Sequence, residues 1–227
     1  MKLLSTLAVM GAMQSLTEIY RARAGVEIAA EFSPTVALLQ RIRAGAAGDV
    51  AILTAQGIDD LIAEGAMLPG SRADVAVSFV GIAVREGAAK PDIATLDAFV
   101  AALLAARCVA YSKIGASGIY FAGLLDRLGL AGSVRTLAVP SGFTAEKLVS
   151  GEADLAVQQI SELLVVPGIA VVGPLPDEIQ TAAMFSGGVL TASAEVEAAR
   201  GFLRFLTGAD AAAVLTASGL RPVGPAG

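Results

Sequence analysis

The chain has 227 residues, 55% of them hydrophobic and 25 of them glycine, which is material for buried sheets and tight turns and unlike a disordered segment. Its formal net charge is -5, with 16 scattered basic residues, so it lacks the electrostatic footprint of a nucleic-acid binder. With no histidine and one cysteine, Cys108, it has no His-based acid-base triad, no His/Cys zinc site and no intrachain disulfide, and no metal or cofactor is expected.

Short apolar runs alternate with helical patterns from the start. Leu3 to Val9 reads as a buried strand that passes into an amphipathic helix ending near Ala24, with Met13, Leu16, Ile19 and Tyr20 at helical spacing. A strand from Val26 to Phe32, a helix from Thr35 to Ala44, a strand from Asp49 to Leu53 and a helix from Ile58 to Glu64 follow. That alternation is what a parallel α/β sheet with right-handed crossovers requires. The first ten residues also superficially resemble an export signal; their direct passage into a helix favours a first strand instead. The chain as written is then expected in the cytoplasm, or in the periplasm if a leader precedes it. No apolar stretch reaches the length of a membrane span.

Val75 to Arg85 is long for a strand and is expected to leave one lobe and enter another. Beyond it come a helix from Leu96 to Ala106, a strand from Cys108 to Tyr111, a helix from Ser117 to Leu128, a helix around Thr144 to Ser150 and a strand from Leu155 to Gln158. After the Ile169 to Val172 strand and the turn Gly173-Pro174-Leu175-Pro176, Ala183 to Leu190 reads as a second hinge crossing. Helices from Ala194 to Leu206 and from Ala209 to Ser218 then return to the first lobe. The expected architecture is a two-lobed α/β fold with mixed, mostly parallel sheets and two hinge crossings. Residues 1–79 with 183–227 form one lobe and residues 80–182 the other, with ligand in the cleft at the strands' carboxyl ends.

Four segments could carry a site. In Ser112-Lys113-Ile114-Gly115-Ala116-Ser117-Gly118 a strand end leads through small residues into a helix, whose first N–H groups lack intrahelical partners and carry the positive end of the helix dipole. Gly115 and Gly118 would let an anion approach the backbone, Ser117 adds a hydroxyl and Lys113 a charge; alternatively Ser117 only caps the helix. Ser33-Pro34-Thr35 is a second such junction, where Thr35 is a cap or a ligand donor, and Met10-Gly11 a third, where Gly11 could expose N–H groups or simply make a turn. Gln158 and Gln159 end an otherwise apolar strand and either satisfy backbone groups or face a ligand. Arg85 could pair with a carboxylate or lie solvated. Asp59, Asp60, Glu152 and Asp154 read as solvated positions.

The order of these segments resembles the type II periplasmic binding proteins, specifically the molybdate-binding branch of the ABC importers. The resemblance rests on Gly25-Val26-Glu27-Ile28 to Phe32, on Ser33-Pro34-Thr35, on Leu39 to Val50 with its Gly45-Ala46-Ala47-Gly48-Asp49 turn, and on Ala116-Ser117-Gly118-Ile119-Tyr120, which is similar to the family's oxyanion loop. Three departures accompany it: the family's first-loop serine is replaced at Ala8 or its neighbours, its ligand-contacting tyrosine falls at about Gln159, and Pro34 stands within the Ser/Thr loop. The stretches around Gln158 to Glu162 and Gly173 to Gln180 look like a divergent subgroup whose relatives include an aconitate isomerase.

What the resemblance implies is a monomeric, non-catalytic solute-binding protein with an ABC permease as partner. It would trap a small anion, a molybdate-like oxyanion or a small carboxylate. The alternative is an isomerase of an unsaturated polycarboxylate, for which Lys113, Tyr111 or Glu162 would have to serve as base. A cytoplasmic ligand sensor is a third reading, disfavoured because no basic recognition helix is present.

Overall fold

The computed structural model describes residues 1–224. These fall into two compact units, Met1–Ser78 with Ala183 onward, and Phe79–Ala182. The first opens with β1 (Lys2–Thr6), α1 (Met10–Ala24), β2 (Ala29–Ser33), α2 (Thr35–Arg43), β3 (Val50–Thr54) and α3 (Ala55–Ala63), and β4 (Ala73–Arg85) runs from it into the second. The second continues with α4 (Leu96–Ala105), β5 (Val109–Ser112), α5 (Ala116–Arg127), β6 (Thr136–Val139), α6 (Glu146–Val149), β7 (Leu155–Gln159), α7 (Ile160–Leu163) and β8 (Ile169–Pro174). β9 (Ala182–Val189), α8 (Val196–Leu206), α9 (Ala209–Ala217) and β10 (Arg221–Pro222) complete the first.

In the first unit β1 pairs in parallel with β2 and β3, while β3 pairs antiparallel with β9. Successive residues of β1 point to opposite faces, and both faces are apolar. Leu3 packs with Met13, Leu16, Phe185 and Phe202, whereas Leu4 packs with Leu38, Ile42, Leu53 and Ile58. A strand covered by helices on both sides has no polar alternation, which is why Leu3 to Val9 looks like one long strand in the sequence. The strand in fact stops at Thr6. Leu7–Val9 form a turn of 3-10 helix, with Ala8 and Val9 buried in the core, and α1 starts at Met10. The strand-to-helix junction therefore lies at Thr6 to Val9, and Gly11 sits inside the helix rather than at the turn.

Asp49, in the glycine-rich turn before β3, ties two stretches of this unit together. Its carboxylate accepts the Lys2 N–H at 2.7 Å and the Ser193 hydroxyl at 2.7 Å. Partial burial opposes ionisation, but those two donors outweigh it and hold the carboxyl below its usual range. Tyr20 lies against Phe202 and Phe205, with ring centroids 5.2 and 5.1 Å away.

The second unit repeats the logic. β5 pairs in parallel with β6 and β7, and the second half of β4 runs antiparallel between β7 and β8. One face is packed by Phe99, Phe121, Leu124 and Val157, the other by Ala110, Leu148, Ala156 and Leu163. The sequence reading passes over β6, whose Thr136–Val139 is half exposed and too short for a clear pattern, and over the four-residue α7. It also extends the helix around Thr144 to Ser150 beyond its observed Glu146–Val149. Among the described residues no helix is long and apolar enough to cross a membrane.

Phe202 of α8 is fully buried with residues of α1 and β9, so Phe202→Ala removes a large apolar side chain where the surrounding aromatics cannot fully collapse. The expected loss is about 3–5 kcal/mol in urea-denaturation midpoints at unchanged slope. A loss below about 1 kcal/mol would show that this face is loosely packed.

Candidate functional site

In the second unit the chain leaves three adjacent parallel strands, β5, β6 and β7, at the same end of the sheet. Tyr111 lies opposite Val157 and Ser112 opposite Val139, so the residues that follow gather there: Lys113 to Ser117 after β5, Ser141 to Thr144 after β6, and Gln158 and Gln159 closing β7. The turn after β5 is held locally. Ser112 Oγ accepts the Gly115 N–H at 3.0 Å, and the Lys113 N–H donates to the Val139 carbonyl at 2.8 Å. Gly115 occupies the N-cap of the twelve-residue α5 without a side-chain cap.

The helix start sits almost on the strand end. A Cβ on Gly118 would lie 1.6 Å from the Ser112 carbonyl oxygen, so only glycine permits this approach. The approach also explains what Ser117 does not do. Its hydroxyl is one residue inside α5, 2% exposed, and has no hydrogen-bonding partner, so it is no cap.

The two glutamines differ sharply, though the sequence treats them alike. Gln158 Oε1 accepts both the Thr144 N–H at 2.8 Å and the Thr144 hydroxyl at 2.9 Å, which is the structural role. Gln159, 3% exposed, is the N-cap of α7 in a reciprocal capping box with Glu162, and beyond that contact its Oε1 has no hydrogen-bonding partner. A buried polar atom left without a partner costs about 1–3 kcal/mol, and in native proteins such atoms are uncommon. Ser117, in the helix that follows β5, and Gln159, closing β7, both belong to segments gathered at this end of the sheet.

Glu162, three residues beyond Gln159, is buried as well. Burial pushes its carboxyl up to about 7, against the Gln159 N–H and the Gln158 amide, both of which favour the ionised form. Lys113 is exposed. Tyr120 is engaged elsewhere, donating its hydroxyl to the Ile179 carbonyl at 2.5 Å beneath the Arg127 guanidinium. Arg85 lies at the wrong end of the sheet: Val80 of β4 is opposite Gln159, while Arg85 is opposite Ile169. A reach from Arg85 to these strand ends is therefore excluded within this unit. Asp154 instead pairs with Arg107, Glu152 with Lys147, and Asp59 with Arg72.

The first unit has its own hydroxyl-lined strand end. Thr6 closes β1 directly opposite Ser33 of β2, and Thr6 Oγ1 lies 3.1 Å from Thr35 Oγ1. Thr35 is the first residue of α2 behind Pro34, so it does not cap the helix. The Ser33 hydroxyl is occupied, accepting from Arg41 at 3.0 Å, whose guanidinium also pairs with Glu31. Thr6 was invisible in the sequence because the apolar residues after it disguise the end of the strand. Its signal is the small polar pair Ser5-Thr6 after two leucines, matched by Ser33 ending the neighbouring strand.

Comparison with known proteins agrees with this geometry. Residues 2–221 match the family model described as bacterial extracellular solute-binding protein. The chain belongs to that family. It is 37% identical over 228 residues to an aconitate isomerase of Pseudomonas sp, covering 97% of this chain and 87% of that relative. Among solved structures, the periplasmic molybdate-binding protein of Azotobacter vinelandii superposes with a TM-score of 0.83 at 22% identity, covering 100% of each chain. The substrate-binding domain of a putative molybdenum ABC transporter from Clostridium difficile gives 0.73 at 19% identity and 98% coverage of both. The likenesses show the type II periplasmic-binding-protein fold expected from the sequence.

Two outcomes follow for Gly118 and Glu162 in the second unit. Gly118→Ala forces a methyl group into the Ser112 carbonyl and should cost about 3 kcal/mol, the upper range for overpacking, in denaturant titrations. For Glu162, the folded state holds the proton to about pH 7 and the unfolded chain only to its ordinary 4.5, so its stabilising contribution is complete below 4.5 and is lost as pH rises through 7. Wild-type thermal midpoints should fall from pH 5 to pH 8, and Glu162→Gln should flatten that slope; equal slopes would contradict the assignment.

Proposed function

We propose that the chain captures a small polycarboxylate of the aconitate class, with Ser117, Gln159 and the first N–H groups of α5 as its donors and acceptors in the second unit. The observation that carries this reading is the buried, unpartnered Ser117 Oγ in the first turn of α5, a turn that has no side-chain cap. A hydroxyl and free helix N–H groups suit a carboxylate; each hydrogen bond to an ionised group contributes about 1.5–3 kcal/mol net. The resemblance to an aconitate isomerase over nearly the whole chain supports the carboxylate class over the molybdate of the more distant structures. An importer's solute receptor with a permease partner is the role this reading implies.

A second reading, isomerisation of the same ligand, is favoured by that relative and by Glu162. Of the candidate bases, Glu162 is the one whose carboxyl burial brings to near neutrality. In an allylic shift the base removes a methylene proton from one arm of the polycarboxylate, and the same proton returns to the far carbon of the allylic anion. No co-reactant is consumed.

Isothermal titration with cis- and trans-aconitate, citrate, molybdate and sulfate tests the class, and a proton NMR time course separates receptor from enzyme. The expected result is saturable heat with an aconitate and little with molybdate or sulfate. Ser117→Ala should weaken that binding at least about tenfold, which is about 1.4 kcal/mol. Tight molybdate binding without any polycarboxylate heat would contradict the proposal. Interconversion of the two aconitates establishes the enzyme; binding without turnover establishes the receptor.

A further inference from the structure

The helices that cover the first unit leave a cavity far from its strand ends. Tyr20 lies ten residues into α1 from Met10, about 15 Å along the helix axis, and so away from the Thr6 end of β1 where α1 begins. There α1, α8 and α9 meet around a space of about 420 Å³, lined by Tyr20, Arg23, Arg204, Phe205, Gly208 and Asp210 among others. Cavities of this size take small molecules.

Donors converge on it from three helices. The Tyr20 ring packs against Phe202 and Phe205 and the residue is 8% exposed, yet its hydroxyl has no hydrogen-bonding partner among the described residues. A Cβ on Gly201, in the middle of α8, would lie 2.8 Å from that hydroxyl and 3.9 Å from Arg204 Nη2. Glycine is unfavourable inside a helix; here it leaves the hydroxyl and the guanidinium room to face a common space. The nine-residue α9 starts behind Gly208, which offers no side-chain cap, so the Ala209 and Asp210 N–H groups at the positive end of that helix are uncapped.

The charge of the lining favours an anion. It holds two arginines against one aspartate, and Asp210 is already paired with Arg23, whereas Arg204 has no ion pair among the described residues. A hydroxyl, a guanidinium fork and helix N–H groups arriving from three directions suit the oxygens of a tetrahedral group better than the two coplanar oxygens of a carboxylate. The Tyr20 and Phe205 rings give the remaining space an apolar wall.

We propose that this cavity is a second anion site, separate from the strand ends of either unit, that takes a phosphoryl group, free or on a small ester. Tyr20, Arg204 and the first N–H groups of α9 are its donors. The site stands independently of the polycarboxylate reading.

Amide NMR of the isotope-labelled full chain, titrated at low ionic strength with inorganic phosphate, phenyl phosphate and benzoate, tests it. The expected result is a saturable shift of the Ala209 and Asp210 signals with phosphate or its ester. Tighter binding of phenyl phosphate identifies the ester as the favoured form, and equal or weaker binding the free ion. Tyr20→Phe keeps the ring and removes only the hydroxyl, and Arg204→Ala alters an exposed position; each should weaken that binding at least about fivefold. Saturating phosphate and phenyl phosphate that move neither amide overturn the proposal, a readout that needs no variant. So do benzoate binding as tightly as phenyl phosphate, and affinity unchanged in both variants. Phosphate binding abolished by Ser117→Ala would put the ion in the second unit and contradict the site.

Discussion

A polar atom shut away from water must find a partner, and two side-chain atoms among the described residues do not. The energetic cost of leaving Ser117 Oγ and Gln159 Oε1 bare, about 1–3 kcal/mol each, is comparable to what a well-placed hydrogen bond to a charged ligand returns. Ser117 lies in the first turn of the helix that follows β5, and Gln159 ends the neighbouring parallel strand β7, where loops and helix starts converge. A parallel sheet covered on both faces by helices concentrates its chemistry there, since its faces are closed by Phe99, Phe121 and Val157 on one side and Leu148, Ala156 and Leu163 on the other.

The same constraint explains the tightness of the α5 start. Gly118 lets the helix begin against the Ser112 carbonyl, and this close approach places Ser117 inside the first turn, away from the cap position. A hydroxyl at the cap would have spent its oxygen on the helix itself. Moved two residues inward, it is left over, beside N–H groups that are also left over. Glu162 shows the complementary economy: a carboxyl among neutral amides keeps its proton to about pH 7.

Much of this was legible in the residues. Alternating apolar runs and helical patterns gave the α/β class, and the small-residue stretch from Gly115 to Gly118 identified the strand-to-helix turn, because close backbone approach demands glycine whatever the surrounding fold. What stayed hidden depended on neighbours distant in sequence. Thr6 could not be separated from the apolar Leu7 to Val9 without knowing that those residues turn into the core. Gln158 and Gln159 are adjacent and chemically identical, yet the first is held by Thr144, fourteen residues before it, and the second caps α7 opposite Glu162. Arg85 looked available for a carboxylate until strand register set it at the far end of β4 from Gln159.

The central claim is that a small carboxylate accepts from the Ser117 hydroxyl at this end of the second unit's sheet. A crystal structure of the chain grown with trans-aconitate addresses it most directly. A carboxylate oxygen within about 3 Å of Ser117 Oγ, and a ligand or ordered group bonded to Gln159, is the result expected from the unpartnered atoms. Both side chains still buried and bare with saturating ligand bound elsewhere, or both satisfied by rotation onto protein groups, would contradict it.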